Sequence, residues 1–169
     1  MCTNWKSSVH THTLDASSIL HAWDNYPLNQ FPNLWKWLGV QLNHRHMSIA
    51  AVALQEVEFV DRACSRWLKG HGAWALPIDM SVLQGAQLIK NLLNIVGDAY
   101  NAKGVNENDL LIIACAKQHG VQLITNEGLQ FMAPQAPAKR KIPSVCDLPA
   151  VQVAHQNFLQ YLVASQQVF

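Results

Sequence analysis

Residues 109–125 constrain the fold more than any other stretch. Asp109-Leu110-Leu111-Ile112-Ile113-Ala114-Cys115-Ala116-Lys117-Gln118-His119 is apolar almost all round, so it reads as a buried helix, and Gly120 stops it. Val121-Gln122-Leu123-Ile124-Thr125 then reads as a central parallel strand. A helix, a glycine and a strand in immediate succession form one α/β unit. The expected fold class is therefore α/β, with three layers (α/β/α) around a central, mainly parallel sheet. An acid stands just past the strand, in Thr125-Asn126-Glu127.

The beginning of the chain repeats this arrangement. Val9 to Leu14 is a short β-favouring run that ends in Asp15, and Ser17 or Ser18 can cap a helix running through Trp23. Asp15 is thereby expected at the carboxyl end of a strand, the edge of an open α/β sheet where ligands bind. A structural capping aspartate would look the same from this stretch alone, so acids at matching places are needed.

Between these ends the pattern predicts helices and short strands. Pro32 can open a helix carrying Leu34, Trp35, Trp37, Leu38 and Leu42 at core-facing spacing, where the tryptophans read as packing. Met47 to Ala51 is a short apolar segment, and one long helix is expected from about Ala51 to Lys69. Its Ala53, Val57, Val60, Cys64, Trp67 and Leu68 face inward. Glu56 lies at the border of that face, and Glu58 and Asp61 lie further round, toward solvent. Ala73 to Leu76 reads as a short strand, and Met80 to Val96 as a helix ended by Gly97. From Met132, Pro134, Pro137, Pro143 and Pro149 bracket the basic Lys139-Arg140-Lys141 in an ordered wrap, before a last helix from Val153 to Val163. With 169 residues, no internal repeat and no linker, one domain is expected over residues 1–169.

Four acids then occupy equivalent topological places: Asp15, Glu56, Asp109 and Glu127. If the sheet is parallel, all four can converge on one edge. Carboxylates at close range raise one another's pKa unless a cation neutralises them. Hard oxygen ligands select Mg²⁺ or Mn²⁺, which can activate water and stabilise charge on a phosphoryl oxygen. That combination points to phosphodiester hydrolysis.

The order of these motifs resembles the PIN-domain superfamily, which includes the VapC ribonuclease toxins. Leu14-Asp15-Ala16-Ser17 is similar to the family's first motif, Glu56 to its helical acid, Asp109 with Leu110 to Lys117 to its third motif, and Thr125-Asn126-Glu127 to its closing Thr-x-acid. Trp35-Lys36-Trp37-Leu38, the helix from Glu56 to Trp67, and Lys141-Ile142-Pro143-Ser144-Val145-Cys146 resemble a branch catalogued mainly as a domain of unknown function. The resemblance implies that Asp15, Glu56 and Asp109 bind Mg²⁺ or Mn²⁺ and are catalytic, with Glu127 completing the cluster. Ser17 and Thr125 would orient carboxylates or bound water. It further implies a metal-dependent endoribonuclease, a toxin of a toxin–antitoxin pair with an antitoxin partner, and a homodimer, for which the tryptophan-bearing helices are candidate surfaces. The polar first strand, the crowding of the third motif by Glu107 and Asn108, and Glu58 as a rival to Glu56 depart from the family pattern.

Composition narrows the alternatives. The net charge of +1 excludes a global basic field, so RNA would meet a local patch, for which Lys139, Arg140 and Lys141 are candidates. Single-stranded or looped RNA is favoured, because duplex RNA hides its backbone. Cys2, Cys64, Cys115 and Cys146 are scattered with no CxxC pair, against a zinc ribbon or thioredoxin-type site, and three of them read as buried thiols. The pairs His10/His12 and His44/His46 could chelate zinc, but nothing completes a set. A dehalogenase-type phosphatase would want an aspartate where Ser17 stands, and a receiver a lysine where Thr125-Asn126-Glu127 stands. No run reaches membrane-span length and Met1 to Lys6 lacks a secretory apolar region, so a cytoplasmic protein is expected. The competing reading is a PIN-like module that binds RNA or a protein with little turnover.

Overall fold

The computed structural model describes residues 11–169. Val9 and His10 of the expected first strand and His pair, and Cys2, lie outside the described residues. Five parallel strands, β1 (His12–Leu14), β2 (Met47–Ala50), β3 (Trp74–Leu76), β4 (Gln122–Ile124) and β5 (His155–Gln156), form one sheet in the order β3-β2-β1-β4-β5. Leu14 of the central strand stands opposite Ile49 on one side and Ile124 on the other.

That order decides where a site can form. The chain steps outward from β1 through β2 to β3, then returns past β1 to β4 and steps outward the other way. Right-handed crossovers in opposite directions place their helices on opposite faces, giving the α/β/α layering. The loops after β1 and β4 therefore part at a topological switch point, where an open sheet leaves a crevice. The helices are α1 (Ala16–Asn25), α2 (Pro32–Asn43), α3 (Ala51–Val60), α4 (Arg62–Gly70), α5 (Met80–Leu92), α6 (Glu107–His119), α7 (Ile142–Cys146) and α8 (Phe158–Ser165). Leu14, Ile19, Leu38, Leu42, Ile49, Val57, Ile113 and Leu123 are fully buried, each worth about 1.5–3 kcal/mol of apolar burial.

The polar residues of the first strand meet different surroundings. Thr13 is completely buried, while the His12 ring meets the edge of Tyr161 at 4.9 Å. Trp35 is buried and packs edge-on against Trp23 at 5.3 Å and Trp67 at 4.7 Å, so these tryptophans are core. Cys64, Cys115 and Cys146 are buried free thiols. Among the described residues no helix is long and apolar enough to cross a membrane.

Four boundaries differ from the sequence expectation. The long helix breaks at Asp61, whose backbone is extended and whose Oδ1 accepts from the Cys64 amide at 2.8 Å. A side-chain cap replaces the lost helical hydrogen bond there. Asp61 is thus a capping residue and half-buried, while Val60 faces solvent instead of the core. Asp15 itself precedes α1, so neither Ser17 nor Ser18 caps the helix; Ser18 Oγ instead donates to the Asp15 carbonyl at 2.7 Å. Helix α5 ends at Leu92, short of Val96. The expected last helix begins only at Phe158, because His155–Gln156 extend the sheet and Asn157 with Gln160 forms a capping box.

Candidate active site

Asp15 is the most enclosed of the acids. It sits at the carboxyl end of β1, 3% exposed, with its amide donating to the Ile124 carbonyl of β4 at 2.9 Å. Its Oδ2 accepts from Ser17 Oγ at 2.5 Å and from Thr125 Oγ1 at 3.0 Å. Ser17 Oγ in turn accepts from the Asn126 amide at 2.9 Å, and Thr125 Oγ1 from the Glu127 amide at 3.3 Å. Two hydroxyls thus tie Asp15 to the loop after β4 and hold the switch point together. Burial raises the Asp15 pKa, opposed by hydrogen bonds from Ser17 and Thr125 and by the amides of Ala16 and Ser17.

The other three acids arrive on separate elements. Asp109 occupies the first turn of α6, where its Oδ2 accepts from the Asn106 amide at 2.8 Å and its own amide donates to Asn106 Oδ1 at 3.0 Å. This capping box fixes the start of the helix. Glu56, half-buried on α3, accepts from Asn108 Nδ2 at 2.7 Å. Glu127 Oε2 accepts from the Ile142 amide at 2.9 Å, at the start of α7.

Electrostatics connects all four. Burial pushes Asp109 up to about 7, and the charges of Glu127, Asp15 and Glu56 push the same way against the Asn106 amide. Burial raises Glu56 too, opposed by Asn108 and reinforced by Asp15. Glu127 is raised by burial and by Asp15, with the Ile142 amide and Lys141 opposing. The four carboxylates are therefore close enough to resist common ionisation. In chemistry the donor set fits a hard divalent cation, being all oxygen and strongly negative. In placement it is open: among the described residues no three His, Cys, Asp or Glu side chains stand close enough to form a ligand set. The charge coupling and that spacing are compatible, since repulsion acts beyond ligand distance and each acid is also held by a protein donor.

Glu58 is 53% exposed and paired with Lys69 at 2.9 Å, whereas Glu56 feels Asp15 and Asp109. His44 and His46 are exposed with rings 5.9 Å apart, and they complete no metal group. Within the basic segment, Lys139 is exposed and Lys141 half-buried, but Arg140 Nη1 donates to Ser144 Oγ at 2.8 Å. Asn106 and Asn108 are absent from the sequence expectation as site residues. The Asn-x-x-Asp spacing of Asn106 and Asp109 is a readable capping box, but the bond from Asn108 to Glu56 spans distant segments and leaves no local signal.

Comparison with known proteins follows the same lines. The family described as Domain of unknown function (DUF4411) matches residues 12–169. No curated protein matches the sequence. Among solved structures, the fold is similar to VapBC2 from Rickettsia felis bound to a DNA fragment from its promoter, with 16% identity and a TM-score of 0.52. That alignment covers 87% of this chain and 98% of the other, so the fold is PIN-like along most of its length.

Proposed function

The chain belongs to the family described as Domain of unknown function (DUF4411), and we infer that it is a divalent-metal-dependent ribonuclease hydrolysing RNA phosphodiester bonds at Asp15, Glu56, Asp109 and Glu127. The observation that carries this reading is the convergence of these acids from separate elements at the switch point of a PIN-like sheet, where burial raises each of them and the Asp15 charge raises the other three. Buried carboxylates that raise one another's pKa are costly, and a cation is what offsets the cost.

Mg²⁺ or Mn²⁺, held by these acids, would supply a nucleophilic water and offset charge on the phosphoryl oxygens. The chain's own residues do the rest. Ser17 and Thr125 keep the Asp15 carboxylate oriented and favour its charged form. Asn108 holds Glu56, and Asn106 holds Asp109 against α6. Lys139 and Lys141 offer positive charge beside the Glu127 edge of the cluster for the phosphate backbone. Residues 1–169 act as one domain in this reading, in the cytoplasm. The likeness to VapBC2 supports a toxin with an antitoxin partner, and a homodimer completes this reading.

The open spacing of the acids favours a second reading, a PIN-like module that binds RNA or a protein with little turnover. Incubating the pure protein and Asp15→Asn with a panel of single-stranded and hairpin RNAs, in Mg²⁺, Mn²⁺ or EDTA, separates the two. Cutting that needs metal and vanishes in Asp15→Asn is the expected result. Equal trace cutting by both proteins would leave the binding module.

A further inference from the structure

Beside the acid cluster lies a cavity of about 610 Å³ that continues past the basic edge formed by Lys139 and Lys141. Glu127 borders it, and Lys103, Lys139, Lys141, Gln130 and Gly104 line it. We propose that this groove is a phosphate-backbone track for single-stranded RNA leaving the acid cluster, built by Lys103, Lys139 and Lys141 and not by Arg140.

The wall of the groove is made by two segments laid directly on one another. The Val105 amide donates to the Arg140 carbonyl at 2.9 Å, and the Gly104 amide closes a turn onto the Asn101 carbonyl at 2.9 Å. A Cβ on Gly104 would stand 2.0 Å from the Ala138 carbonyl oxygen and 3.0 Å from Lys139 Cα, so only glycine permits this approach. The turn thereby brings Lys103, distant in sequence, beside Lys139.

Gln130 sets the direction of the basic side chains. Its Nε2 donates to the Lys139 carbonyl at 3.0 Å and its Oε1 accepts from the Lys141 amide at 2.8 Å. The backbone is extended at Arg140 and Lys141, so alternate side chains leave on opposite sides. Lys139 and Lys141 line this groove, whereas Arg140 lines a different cavity with Ser144 and Asp147. Arg140 also spends its guanidinium on Ser144 Oγ. Among the described residues no carboxylate lies within ion-pairing distance of Lys103, Lys139 or Lys141. Three lysines without ion pairs along one groove, next to an acid cluster, suit a polyanion whose cleaved bond sits at the acids and whose flanking phosphates sit at the lysines.

Because this rests on the ribonuclease reading, binding is measured without turnover. Fluorescence anisotropy with a labelled unstructured RNA oligonucleotide in EDTA, over a salt series, gives the slope of log K against log salt. Each phosphate neutralised on a single strand contributes about 0.7 to that slope. Lys103→Ala, Lys139→Ala and Lys141→Ala should each flatten it by about 0.7, and the triple variant by about 2. Arg140→Ala should lower the melting temperature and leave the slope unchanged, as should Arg66→Ala for the slope as a distant charge control. A slope unmoved by Lys103→Ala, a slope flattened equally by Arg140→Ala, or no RNA binding at all would overturn the groove. Lysine-dependent slopes in a protein that cuts nothing would keep the groove and sink the ribonuclease; metal-dependent cutting with unmoved slopes would do the reverse.

Discussion

Replacing Asp109 by asparagine should make the metal-free protein more stable at neutral pH while removing its activity. Asparagine keeps an oxygen for the Asn106 amide, so the capping box survives and only the charge is lost. Burial pushes the Asp109 carboxyl up to about 7 in the fold, against an ordinary value of 3.8. The sign follows from proton counting. Between those two values the folded chain holds a proton that the unfolded chain has released, so stability falls as pH rises through the interval. Above about pH 7 the full penalty applies, at most about 4 kcal/mol at 1.36 kcal/mol per pKa unit. Relaxation of the neighbouring acids lowers this, and about 1–3 kcal/mol is the expected gain for Asp109→Asn at pH 8. At about 2–4 °C per kcal/mol, that is several degrees in melting temperature. Thermal and urea unfolding in EDTA at pH 5 and pH 8 measures it, and the gap between variant and wild type should shrink at the lower pH. Adding Mn²⁺ should raise the wild type and leave the variant behind, since a ligand stabilises only the fold that binds it. A variant less stable than wild type at both pH values, by the same amount, would refute the reasoning.

Other perturbations have separable outcomes. Ser17→Ala removes the hydroxyl that bridges Asp15 and the Asn126 amide, leaving a half-buried donor unpaired. Urea unfolding should register a loss of about 1–3 kcal/mol, and metal affinity at neutral pH should weaken because Asp15 loses a bond to its charged form. Asn108→Ala deprives Glu56 of the bond that lowers its pKa, so the acid limb of the cleavage–pH profile should move to higher pH. Asp61→Ala should cost about 1 kcal/mol by removing the α4 cap and leave RNA cleavage unaltered.

The legibility of this fold in its sequence was uneven, for physical reasons. The unit from Asp109 to Thr125 is visible because a helix buried all round, a glycine and an apolar strand leave few alternatives; Gly120 sits at φ 62°, a left-handed stop. The break at Asp61 is hidden because the apolar spacing on either side stays helical, and only a local side-chain cap interrupts it. β5 is two residues long and carries no periodicity, so it merges with the helix that follows. At the candidate site, the places of Asp15 and Glu127 after strands can be read from the chain. What cannot be read is the work of their partners. Ser17 meets Thr125 and Asn126 only because β1 and β4 are neighbours, and Asn108 reaches Glu56 across two helices. Lys139 to Lys141 looks like one basic cluster, yet the extended backbone divides it between two cavities.

The central claim is that these acids hold a divalent ion, and Mn²⁺ titration followed by the loss of the free-ion electron paramagnetic resonance signal tests it directly. Wild type should bind saturably, Asp15→Asn and Glu56→Gln should lose about tenfold or more in affinity, and Glu58→Gln, on the exposed ion pair with Lys69, should bind as wild type does. Saturable binding unaffected by Asp15→Asn, or no binding by the wild type, would contradict the account.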